Sequence, residues 1–131
     1  MKISYKVEFL PEDLQVRGNA ISSGDEETDK RVEDEIIRRL DRDDISAWFC
    51  AKVTCTVVEG DYTFNGVDFL GACSYNSEQE FLESDVVEDM KKEAYSGAVH
   101  SIREAVARGQ VAQELQIKMA QDHLKELQEK P

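Results

Sequence analysis

Residues 45–57 alternate between apolar and polar positions without a break. Ile45, Ala47, Phe49, Ala51, Val53, Cys55 and Val57 take one set; Ser46, Trp48, Cys50, Lys52, Thr54 and Thr56 take the other. A period of two puts the first set on a single face of an extended strand, whereas a helix would scatter it around its whole circumference. The residues are β-branched or aromatic in large part, as strands favour. This stretch therefore predicts a sheet with one face buried, and the rest of the chain has to supply its neighbours and its cover.

Neighbours are legible on both sides. Ile3, Tyr5, Val7 and Phe9 alternate with Lys2, Ser4, Lys6 and Glu8 up to Pro11, which reads as a second half-buried strand. Glu59-Gly60-Asp61 offers a turn into a third strand over 62–70. Within that strand Asn65-Gly66 is a competing turn signal. A turn there would leave very short arms, so a bulge is expected instead.

The cover reads as helical. Ser23-Gly24-Asp25-Glu26 matches the Ser-x-x-Glu capping box and predicts a helix from there to about Leu40, with Val32, Ile36, Ile37 and Leu40 as its apolar stripe. Asp25, Glu26, Glu27 and Asp29 at its start, and Arg38, Arg39 and Arg42 at its end, complement the helix dipole. Ser77-x-x-Glu80 predicts a short helical turn to about Leu82. A longer helix begins at Val86 or Val87, with Val87, Met90, Ala94, Ala98, Ile102 and Ala105 inward, Gly97 inside it and Gly109 as its C-terminal cap. Ile117, Met119, Ala120, Leu124 and Leu127 stripe a further helical segment. The expected architecture is α+β: a three-stranded, mainly antiparallel sheet with helices on one face, in the order β-α-β-β-α plus a C-terminal helix. A single domain is expected over residues 1–109, with 110–131 as a helical extension.

Charge narrows the function classes. The chain of 131 residues has a net charge of −12, from 28 acidic and 16 basic side chains. Such a surface repels nucleic acid and favours basic partners. The acidity is concentrated: residues 25–44 hold ten acids and five bases, and residues 78–93 hold seven acids and two bases. A solvated helix face normally mixes signs more evenly. No apolar run approaches the roughly 20 residues that span a bilayer, and the start lacks the apolar segment of a signal peptide. A cytoplasmic protein with free thiols is therefore expected.

Sites for chemistry are weak. Three cysteines (Cys50, Cys55, Cys73) and two histidines (His100, His123) show no zinc spacing, and Cys50 and Cys55 should face opposite sides of their strand. The small residues before Asp25 suggest a phosphate cradle, but the four acids beyond them already occupy the favourable end of the dipole and would repel phosphate. Helix capping explains the same residues. Gly71-Ala72-Cys73-Ser74-Tyr75 is the best reactive loop, with His100 as a base for Cys73, yet it runs into Glu78, Glu80 and Glu83, where a thiolate is disfavoured. No catalytic residue, metal ligand or cofactor is assigned, and the chain is not expected to be an enzyme. Trp48 falls on the polar side of its strand; a covering loop or helix is favoured over an exposed anchor. Arg17-Gly18-Asn19 is an unexplained loop, with Arg17 as a candidate partner for the acids that follow.

Three stretches, "PEDLQVRGNAISSGDEETDKRVEDEIIRRLDRDDISAWFCAKVTCTV", "FNGVDFLGACSY" and "VVEDMKKEAYSGAV", resemble a group of small uncharacterised proteins encoded by tailed bacteriophages and prophages. Those proteins carry similar "RGNA-x-x-SGD", "AW", "LG-x-CSY" and "DM-x-x-EA" stretches, and the likeness spans about residues 8–106. The resemblance implies a phage or prophage product acting in the cytoplasm of a bacterial host, and it carries no site residues with it. The expected function is that of an acidic, non-enzymatic protein that binds and inhibits a host protein with a basic surface, such as a defence or nucleic-acid-binding protein. Glu26, Glu27, Glu33, Asp34, Asp85, Glu88 and Asp89 are the expected contacts, with no direct nucleic acid and no membrane as partner. The alternative is a structural or accessory phage protein that self-associates, as a homodimer, through its C-terminal helix.

Overall fold

The structure, a computed structural model, describes residues 1–109. The helix expected over 110–131, and with it the self-association expected through that helix, lies outside the described residues. Three strands, β1 (Lys2–Leu10), β2 (Phe49–Glu59) and β3 (Tyr62–Cys73), form one antiparallel sheet in the order β1-β2-β3. Helix α1 (Glu26–Asp41) lies between β1 and β2 in the chain; α2 (Glu78–Leu82) and α3 (Asp85–Ala107) follow β3. The α+β architecture is the one the alternation predicts.

The register fixes the two faces of the sheet. Val7 pairs with Val53 and Tyr5 with Cys55, while Cys55 pairs with Gly66 and Val57 with Phe64. Their side chains point to the same side, where Phe49, Ala51, Val53, Cys55 and Val57 are completely buried under Val87, Met90, Ala94, Ala98 and Ile102 of α3. Each large side chain buried here contributes about 1.5–3 kcal/mol. At the foot of α3, Phe81 meets Phe49, Phe9 and Tyr75 edge-on, with ring centroids at 5.1, 5.6 and 4.9 Å. Such pairs add roughly 0.5–1.5 kcal/mol beyond burial.

Helix α1 packs elsewhere. Its Ile36, Val32, Ile37 and Leu40 surround Val16, Ala47 and Trp48 in a second, smaller core. Trp48 is 4% exposed, and its indole Nε1 donates to the Leu14 carbonyl at 2.7 Å. The tryptophan is a core residue, covered by the loop after β1 and by α1.

Three local expectations fail, two of them because a group elsewhere in the fold intervenes and one because of a local turn. Residues 45–47 are not strand: they form a 3-10 turn, with Ala47 N–H bonded to Asp44 O and Trp48 N–H to Ile45 O. Arg39 imposes it. The guanidinium donates to Asp44 Oδ2 (2.8 Å), Ser46 Oγ (3.0 Å) and Tyr75 O (2.5 Å), and Ser46 is wholly buried. Asn65-Gly66 is not a bulge, since the register runs through it unbroken. A Cβ on Gly66 would stand 1.9 Å from Ala94 O and 2.3 Å from Ala98 N, so the glycine is there to admit the backbone of α3. The irregularity instead falls between Phe49 and Ala51, opposite residues 70–73, where Ala72 takes φ 54°. Ser23 does not cap α1. Gly24 at φ 89° turns the chain after it, and Asp25 is the cap, accepting from Glu27 N–H at 3.1 Å.

Candidate functional site

The loop between β1 and α1 is pinned by the acids that follow it. Val16 is buried beside Ile36, which brings the next residues against the flank of α1. Gly18, at φ 80°, donates its N–H to Glu33 Oε2 at 2.6 Å. Arg17 pairs with Glu33 Oε1 at 3.4 Å and with Asp34 Oδ1. Asn19 closes the turn by donating its side-chain amide to Gln15 O at 2.9 Å. Further along, the Ser23 hydroxyl donates to Asp29 Oδ1 at 2.6 Å. Arg17, Gly18, Asn19, Ser23 and Asp25 of "VRGNAISSGD" therefore each have a partner inside the chain.

This divides the expected contact residues into two kinds. Glu33 is 8% exposed and turned toward Arg17 and Gly18, and Asp34 is half-buried and turned toward Arg17. Hydrogen bonding from Arg17 holds the Asp34 carboxyl below the usual carboxylate range and raises Arg17 in turn. Glu26 and Glu27, at the start of α1, are exposed. So are Asp85, Glu88 and Asp89 at the start of α3, where Glu88 reaches Lys91 at 3.4 Å. Asp25 sits at the head of the first group. Its carboxyl is lowered by the Thr28 hydroxyl and then by Glu27 N–H, so it stays charged and adds to the field there.

The Gly71–Tyr75 stretch does not assemble a nucleophile. Cys73 is 5% exposed, its Sγ donates to Leu70 O at 3.3 Å, and burial pushes its thiol up, away from the thiolate. It lies at the C-terminal end of β3. Helix α3 crosses β3 at Gly66, and His100, one turn beyond Gly97, is exposed and paired with Glu104 Oε1 at 3.0 Å. Cys50 is half-buried on the other side of the sheet from the buried Cys55, as their spacing predicts. Among the described residues, no group of three or more His, Cys, Asp or Glu side chains is placed to hold a metal ion, and no helix is long and apolar enough to cross a membrane.

One surface escaped the sequence reading. The face of the sheet turned away from α3 carries Lys2, Lys6 and Glu8 of β1, Lys52, Thr54 and Thr56 of β2, and Asn65, Val67 and Phe69 of β3. Phe69 is 58% and Val67 42% exposed, and Lys52 Nζ stands 5.7 Å over the Phe69 ring. The signal was available: β3 has apolar residues at both parities, although it is not flanked by strands on both sides. No family model matches the chain, and neither does any curated protein or solved structure.

Proposed function

We propose that this chain is a non-enzymatic phage or mobile-element protein that binds a host protein through its acidic surface and inhibits it. The target would present a basic groove or patch, as defence nucleases and other nucleic-acid-binding proteins do. One observation carries the reading: the exposed acids Glu26, Glu27, Asp85, Glu88 and Asp89 open α1 and α3 of a chain with net charge −12. An acidic array of this kind steers a basic partner in and disfavours nucleic acid as a direct ligand. Glu33 and Asp34 instead hold the Arg17–Gly18 loop against α1.

Affinity purification from bacterial host extract at low salt, run in parallel with wild type and with a variant carrying E26Q, E27Q, D85N, E88Q and D89N, tests the proposal. A basic protein retained by the wild type, released by added salt and lost from the variant is the expected result. Recovery of no partner, or equal retention by both proteins, rejects it.

A further inference from the structure

Strand β3 is an edge of the sheet, and its composition is unlike that of the opposite edge. β1 exposes Lys2 and Lys6 and has Glu8 on the same face, and Pro11 follows directly after it. Charges and proline are the devices by which edge strands resist pairing with another chain. β3 is more sparsely protected: Asp68 points to the α3 side, the register shift lies at its far end, and its face away from α3 has no charge of its own. Its twelve residues, YTFNGVDFLGAC, hold a single charge, Asp68, and no proline or lysine. Tyr62, Val67, Phe69 and Leu70 are each more than 40% exposed along it.

The electrostatics of this side also differ from the rest of the molecule. The stretch of α3 that lies against β3, residues 94–101, carries no acid, lysine or arginine. Asp68 is the one charge that β3 adds, in a chain of net −12. Two copies approaching at the acid-rich starts of α1 and α3 would bring acid against acid. Here they would not. An antiparallel strand pair is also self-complementary about a twofold axis, so one strand satisfies its own copy with no second surface required.

We propose that β3 pairs antiparallel with β3 of a second copy of this chain, joining two three-stranded sheets into one continuous sheet. Val67 lies at the middle of β3 and its side chain is on the face away from α3, so the twofold axis brings the two copies of residue 67 close together. Exposed Val67 and Phe69 then pack across the junction, and the backbone of residue 67 bonds its own copy, while Asn65 O gives up its long 3.5 Å contact from the Ser101 hydroxyl. The proposal stands independently of any host partner, and a dimer would carry its exposed acids twice.

Sedimentation of the full chain over a wide concentration range tests it, with Val67→Lys and Val67→Glu as variants and circular dichroism to follow the fold. The wild type is expected at twice the monomer mass of 14.9 kDa. Each variant alone should weaken dimerisation by about tenfold or more, through like charges meeting at the axis. An equimolar mixture of the two should recover the dimer, which a variant that merely misfolds cannot do. A wild type that stays monomeric throughout, a dimer indifferent to charge at position 67, or a mixture that stays monomeric overturns the proposal.

Discussion

Glu33 shows how a side chain that looks like surface becomes structure. Its carboxylate accepts from Gly18 N–H at 2.6 Å and from Arg17 Nη1 at 3.4 Å, at 8% exposure. Removing it strands a backbone donor and a guanidinium together, so Glu33→Ala should cost about 1–3 kcal/mol in urea denaturation. Glu27→Ala, a few residues away but exposed, should stay within about 0.5 kcal/mol of wild type. Equal costs for the two would show that the loop is not held as described. The same partnerships give a pH dependence. Asp34 is lowered by Arg17, Asp25 by Thr28, Asp44 by Ser46 and then Arg39, and Glu12 by the N–H groups of Leu14 and Ala72. A carboxyl lowered on folding adds stability above its unfolded pKa and loses that stability as pH falls through its folded value. The urea midpoint should therefore hold near neutrality and fall as pH drops below about 4. Asp34→Asn should make that fall shallower; an unchanged profile would count against the Arg17 contact.

At the scale of elements, Gly66 and Gly97 mark the contact that fastens α3 to the sheet. A Cβ on Gly66 meets backbone at 1.9 and 2.3 Å, which only separation of helix and strand relieves. Gly66→Ala should cost about 3 kcal/mol or more. A Cβ on Gly97 would be 3.3 Å from Gly66 Cα. That squeeze is offset by alanine's helix preference of about 1 kcal/mol, leaving Gly97→Ala within about 1 kcal/mol of wild type. Thermal melts followed by circular dichroism rank the pair, and the reverse order would contradict the packing. These glycines also show what the sequence can and cannot reveal. β1 and most of β2 were legible because alternation is a local signal, and α3 because its apolar stripe is long. Asn65-Gly66 resembled a bulge because the reason for its glycine lies about thirty residues away, in α3. Ile45 and Ala47 continued the alternation of β2 but obey Arg39, and Ser23 matched a capping box yet bonds to Asp29 once Gly24 has turned the chain. Acid content was readable for the candidate surface, but orientation was not. Glu33 and Glu27 are equivalent in composition and opposite in role.

Across the whole molecule, the net charge of −12 acts on stability and association together. Self-repulsion among carboxylates opposes the compact state, and mobile ions screen it over a Debye length of about 10 Å at 0.1 M salt. Adding a simple salt to the low-salt protein should therefore raise its urea midpoint. The variant E26Q, E27Q, D85N, E88Q, D89N lacks five of these charges, all on exposed side chains. It should start at or above the wild-type midpoint and respond less to salt. Association should move the other way. Towards a basic partner, losing those charges should lower the on-rate by about tenfold and flatten its salt dependence, with a smaller effect on the off-rate. Chemical denaturation and stopped-flow mixing measure the two effects on the same proteins. A variant that binds slowly because it is damaged would lose stability as well as rate. One that binds slowly because its field is weaker would lose rate alone, and only that outcome ties the acids of α1 and α3 to recognition rather than to the fold.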